Sequence, residues 1–129
     1  AASDVYKRQT YLNAYAYTLA LQNRRLDDAR RFVEHALEYA PEQASILDTL
    51  GFICYLQNDF STSAKVLEKA YLISGSVNIG VRYARSVYML GDLQKFSTVL
   101  QQLKQKHPND PQLDQLNTLL LPQQLKKSS

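Results

Sequence analysis

The sequence predicts an all-α solenoid: three stacked helix-turn-helix repeats closed by one further helix. Three observations predict it. The chain resembles itself at a near-constant offset, its apolar residues recur at helical spacing, and its last apolar stretch has one apolar stripe and one polar face. The repeat emerges when NAYAYTLALQNRRLDDARRFVEHALEYAP is laid over LDTLGFICYLQNDFSTSAKVLEKAYLISG and GVRYARSVYMLGDLQKFSTVLQQLKQKHP. Ala16, Leu50 and Tyr83 then share a column, at successive offsets of 34 and 33 residues. Ala29 falls with Ser63 and Phe96, Val33 with Leu67 and Leu100, Ala36 with Ala70 and Leu103, and Pro41 with Gly75 and Pro108. A period of this size marks stacked supersecondary units, each too small to bury its own apolar face.

The elements follow in order. The opening AASDVYKRQ, Ala1 to Gln9, has no apolar periodicity and no capping pattern. It resembles an in-frame translation of a transposon-end adapter used in sequencing libraries, and on that ground is set outside the fold as a non-native scar. That origin leaves room for an upstream leader, lipid anchor or further domain. The repeats are expected at about 10–43, 44–76 and 77–110, the capping helix at about 110–121, and a loose tail at 122–129.

Within each repeat a short polar turn separates two helices: Asn23-Arg24-Arg25, Asn58-Asp59 and Gly91-Asp92. Asn and Gly tolerate the left-handed backbone that ends a helix. Small residues sit where two helices cross closely, Gly51 and Ala84 on first helices and Ala29, Ala36, Ser63 and Ala70 on second helices. A large side chain there would push the axes apart, at a cost of about 1–3 kcal/mol. Pro41, Gly75 and Pro108 stop the second helices. The third repeat carries Phe96 and Leu103 at positions that are small in the others, so a wider third hairpin is expected. In the capping helix, Leu113, Leu116 and Leu120 form the stripe, and Pro122 ends it. The first repeat has no such cover. Leu12, Tyr15 and Leu19 are expected to be exposed there, inviting self-association through that end.

The period and the middle repeat's Leu47, Leu50, Gly51, Cys54, Ser63, Leu67 and Ala70 resemble the tetratricopeptide repeat, TPR. The resemblance covers nearly all of the chain after Gln9. It implies a right-handed superhelix whose first helices line a concave groove, and a scaffold that binds a partner's peptide or helix rather than an enzyme. The stretch from Ala14 to Phe52 is also similar to C-terminal repeats of bacterial TPR proteins, some of which work in the envelope or in polysaccharide export. That likeness implies a bacterial cytoplasmic, periplasmic or envelope setting. The alternatives are a purely structural solenoid end or spacer and, less favoured, a nucleic-acid binder.

The helical registers place three sets of residues on the groove: Tyr11, Thr18 and Leu21, then Asp48, Phe52 and Tyr55, then Val81, Arg85 and Tyr88. This surface is aromatic and mostly apolar, suited to an amphipathic helix or an extended apolar segment. Some TPR domains clamp a peptide's C-terminal carboxylate with Lys, Asn and Arg. The matching positions here are Ala14, Thr18, Thr49, Asn78 and Arg82, of which only Arg82 fits, so no clamp is expected.

Composition argues against other chemistry. Fifteen Lys and Arg against twelve Asp and Glu give a net charge of +3. Setting aside Lys7, Arg8 and Asp4 leaves thirteen against eleven, or +2, which demands neither nucleic acid nor an anionic membrane. The Arg24, Arg25, Arg30, Arg31 cluster is interspersed with acids and lacks base-stacking aromatics. One cysteine, Cys54, excludes an internal disulfide, and it occupies a packing position rather than a nucleophile's. His35 and His107 are far apart with no ligand spacing around them, so no metal or cofactor is expected. Asp27-Asp28 reads as a complement to a helix N-terminus, not a catalytic pair. GSVNIG, Gly75 to Gly80, lacks a phosphate loop's lysine and reads as an inter-repeat turn.

Overall fold

The structure, a computed structural model, describes residues 2–121. It contains α1 (Ala2–Leu21), α2 (Leu26–Tyr39), α3 (Ala44–Leu56), α4 (Phe60–Ser74), α5 (Val77–Met89), α6 (Leu93–Lys106) and α7 (Pro111–Thr118), and no strand among the described residues. Three antiparallel pairs, α1–α2, α3–α4 and α5–α6, stack in chain order, with α7 against α5 and α6. The expected all-α, TPR-type solenoid with its capping helix is the fold observed.

Residues 2–9 differ from the expectation. They form the first two turns of α1, and Gln9 is buried. No proline or glycine interrupts Ala2 to Leu21, and once a helix is nucleated each added residue extends it cheaply. Their helicity bears on packing, not on their origin. The expected loose tail, 122–129, and Pro122 lie outside the described residues.

The turn dipeptides divide the work between their two residues. Asn58 and Gly91 take left-handed backbone, with φ of 64° and 83°. Asp59 and Asp92 then cap the next helix, their carboxylates accepting from the Thr62 and Lys95 amides at 3.2 and 3.0 Å. A carboxylate there satisfies an orphan amide and faces the positive end of the helix dipole. The first repeat's turn is one residue longer. Arg25 takes the cap position in left-handed backbone without a capping side chain, and its guanidinium instead reaches Asp28 at 3.0 Å and the Tyr15 hydroxyl at 3.3 Å.

Small-for-large pairing sets the helix crossings. A Cβ on Gly51 would lie 2.3 Å from Leu67 Cγ, so the side chain of α4 fits only because α3 has none there. The third repeat uses the same device, a glycine on its first helix facing a leucine on its second. Leu103 of α6 is fully buried, and Gly80 of α5 makes its room: a Cβ on Gly80 would sit 2.5 Å from Leu103 Cδ2. Gly80 therefore lies inside α5, not in a turn, and the turn expected over Gly75 to Gly80 shrinks to Gly75 and Ser76. The backbones of α5 and α6 run close over a shorter stretch than those of α3 and α4, in line with a wider third hairpin.

Ser63 and Ser86 join three helices. Ser63 Oγ donates to the Gly51 carbonyl at 2.7 Å and lies 2.8 Å from Ser86 Oγ, which is 3.1 Å from the Arg82 carbonyl. The apolar core forms two clusters in series. One runs from Ala16 to Cys54 across the first two repeats, the other from Leu47 to Leu116 across the last two and α7. Leu37 and Val66 pack against both.

At the ends, two expectations change. Leu19 is buried in the first cluster, because it faces the neighbouring helices rather than the open end. Tyr15, 46% exposed, and half-buried Leu12 remain at the open end. The capping helix stops at Thr118 rather than Leu121. Its last turn tightens, with the Leu119 and Leu120 amides donating to the carbonyls three residues back. Leu113 and Leu116 are buried, and Leu120 is half-buried against the same core.

Candidate partner-binding groove

A cavity of about 290 Å³ opens between α3 and α5, where successive first helices stand side by side. Phe52 and Tyr55 of α3 and Val81 and Arg85 of α5 line it, four of the residues that the helical registers place on the groove, together with Arg82, the clamp position that fits. Leu67 of α4 forms part of the wall beside Gly51, and Asn78 and Gln112 stand at the α7 end, where the Gln112 amide donates to Asn78 Oδ1 at 2.8 Å.

Arg82 is the most fully engaged side chain of the site. One guanidinium nitrogen donates to both oxygens of Asp48 at 3.1 and 3.0 Å, one repeat back along the chain. The guanidinium also lies 4.9 Å from the Phe52 ring centre and 5.9 Å from that of Tyr17, and the two rings pack at 5.9 Å. Cation, carboxylate and ring faces thus satisfy one another. Burial pushes the Asp48 carboxyl above its ordinary value, and the charge and hydrogen bonds of Arg82 offset this only in part. Arg82, the single residue that fits a carboxylate clamp, is already occupied by a carboxylate of its own chain.

The remaining groove residues fall apart from the cavity. Tyr11 and Leu21 are 71% and 62% exposed on α1, as is Thr18, whose hydroxyl donates to the Ala14 carbonyl. Tyr88 packs edge-on against buried Phe96 at 5.3 Å, because the large residue of the third repeat draws it inward. Tyr17, Leu67 and Gln112 were missed as contributors to this site, and Asn78 was named only as a clamp position that does not fit. Tyr17 and Leu67 carry no distinguishing signal in a single helix. Gln112 belongs to the cap, outside the repeat pattern altogether.

Elsewhere the basic cluster is largely neutralised. Arg25 and Arg31 both pair with Asp28, and Arg30 reaches Glu34 at 2.7 Å and Asp59 at 3.0 Å. Gln57, just after α3, joins this network, donating to Asp27 at 2.7 Å and accepting from Arg30 at 3.1 Å, so Arg30 and Gln57 tie the first two repeats together. Among the described residues no group of three or more His, Cys, Asp and Glu is placed to hold a metal, and no helix is long and apolar enough to cross a membrane. Cys54 is fully buried, and desolvation pushes its thiol up to about 11. The thiolate is the reactive form, so Cys54 should not react with a thiol reagent at neutral pH until the protein is denatured. Stoichiometric labelling of the native protein, followed spectrophotometrically, would contradict its core placement.

The helix pairs, crossing glycines, capping helix and inner-face cavity define a TPR-type α-solenoid. Among solved structures the chain is similar to the second TPR domain of the human RPAP3 protein, determined in complex with the HSP70 peptide SGPTIEEVD. The two share 10% sequence identity with a TM-score of 0.80, over 90% of this chain and 97% of that one. Neither a protein-family model nor a curated protein sequence matches the chain.

Proposed function

We propose that the chain is a protein-interaction module that holds a segment of a partner protein in the cavity between α3 and α5. The observation that carries this reading is the cavity itself: about 290 Å³, walled by Phe52, Tyr55 and Val81 and edged by Arg85, on the face the first helices share. Aromatic and arginine side chains around a desolvated pocket are the usual anchors of such contacts. The similar human domain was determined with a peptide, which supports the same class of ligand. A bacterial, envelope-associated role within a longer repeat protein is the finer form of this reading, and it rests on the sequence resemblance.

The test compares capture of partners from a bacterial lysate by the wild type and by Tyr55→Ala combined with Arg85→Ala. Tyr88 is left intact because it packs on Phe96, and its loss would damage the core. Each truncated anchor should cost at least about 2 kcal/mol of affinity. A double variant that melts like the wild type and captures the same proteins equally well would remove the groove from consideration and leave a structural spacer.

A further inference from the structure

If the groove holds a partner segment, its charges and size narrow what that segment is. The cavity lies just under the roughly 300–1,000 Å³ of small-molecule sites, and it suits one large side chain. Its walls are apolar at Phe52, Tyr55, Leu67 and Val81. Its polar groups are largely spoken for. Arg82 is held by Asp48 and covered by Phe52, and the Asn78 oxygen is held by Gln112. Arg85 is the exception. It lines the same cavity, is half-buried, and makes no hydrogen bond or ion pair with any described residue. A partly desolvated cation without a partner is unfavourable until a carboxylate joins it.

We propose that this cavity takes one large apolar side chain of a partner segment and that Arg85 pairs with a side-chain carboxylate of the same segment. The two groups must be close in the partner's sequence, because both seats belong to one cavity. Within about one helical turn, or two residues along an extended chain, they would reach it together. The carboxylate belongs to an Asp or Glu rather than to a chain end. The arginine a chain end would grip in two-pronged fashion is the one Asp48 already occupies.

A random peptide library displayed with its C-termini fused, so that no free chain end is offered, tests this. It is selected on the wild type and, separately, on Arg85→Glu. Wild-type selection should enrich a large apolar residue with Asp or Glu within about a turn of it. Selection on Arg85→Glu should keep the apolar residue and exchange the acid for Lys or Arg. A synthetic, amidated wild-type winner should lose about tenfold or more in affinity when its acid becomes Gln or when Arg85 becomes Glu, and should weaken as salt is added. Arg85→Lys should restore part of the binding.

Winners without an acid, or indifferent to Arg85→Glu, overturn the charge pairing while leaving the groove reading in place. A winner that binds more tightly as a free acid than as an amide overturns the side-chain assignment. Winners indifferent to both Phe52→Ala and Arg85→Glu, or no enrichment at all, overturn the groove reading as well.

Discussion

Replacing Leu116 with Asp unfolds α5, α6 and α7 before α1 and α2. Leu116 is fully buried among the apolar side chains of the second core cluster. An uncompensated buried charge costs about 3–5 kcal/mol. That approaches the whole stability of a domain this size, about 5–15 kcal/mol. The cost need not spread evenly. The first cluster, with Ala29, Val33 and Ala36 at its centre, contains nothing from α7 and meets the second through Leu37 and Val66. In a solenoid each repeat leans only on its neighbours. Amide hydrogen exchange should therefore show protection lost through Val87, Val99 and Leu103 while Val33 and Ala36 keep theirs. Equal loss in α2 and α6 would show a single cooperative unit instead. Leu120→Asp should have a far smaller effect, since Leu120 is already half-exposed beyond the end of α7.

The glycine–leucine contact of the third hairpin predicts a coupled pair of substitutions. Gly80→Ala places a methyl 2.5 Å from Leu103 Cδ2 and 3.2 Å from Tyr71 Cε2. Overpacking of this kind costs about 1–3 kcal/mol, of which the helix preference of Ala over Gly returns up to about 1 kcal/mol. Leu103→Ala alone leaves a hole in the core and costs about 2–5 kcal/mol. Together, the new methyl on α5 occupies space vacated on α6, so the double variant should lose less than the two singles added. Urea denaturation of all four proteins should give a coupling of about 1 kcal/mol or more. Strict additivity would mean that Gly80 and Leu103 do not share one space, and the account of the third crossing would be wrong.

Most of the fold was legible in the sequence because the chain states each decision three times. Pro41, Gly75 and Pro108 mark the same stop, and Ala29 and Ser63 mark the same close crossing. What stayed hidden depended on the opposite side of a contact. Gly80 looked like part of a turn because the residue that needs it, Leu103, lies across the hairpin. Tyr88 shares its register with Tyr55, and each ring packs edge-on against a phenylalanine at 5.3 Å, yet only Tyr88 is drawn onto a fully buried one, Phe96, while Tyr55 beside Phe60 still lines the cavity. Asp48 was placed on the groove by its register and Arg82 by the clamp comparison, with no pairing foreseen between them. Nothing in either helix alone says that they meet across 34 residues. Gln112 reaches the site from a helix that obeys no repeat. The helicity of residues 2–9 was missed for a simpler cause: the segment lacks an apolar stripe, and it is helical as an extension of a helix nucleated further on.

The hydroxyl chain of Ser63 and Ser86 has a consequence for how copies of such a repeat diverge. Two protons serve a line of acceptors running from the Gly51 carbonyl to the Arg82 carbonyl. If Ser63 loses its hydroxyl, Ser86 still has the Arg82 carbonyl. If Ser86 loses its own, Ser63 still has the Gly51 carbonyl. Neither single loss strands a buried hydroxyl, which would otherwise cost about 1–3 kcal/mol. The counterpart of Ser63 in the first repeat is Ala29, fully buried and without any hydroxyl. Serine and alanine are therefore linked at this crossing by a path of near-neutral steps. Duplicated units can drift along it, one letter at a time, until their ancestry fades from the sequence while the spacing of their helices does not change.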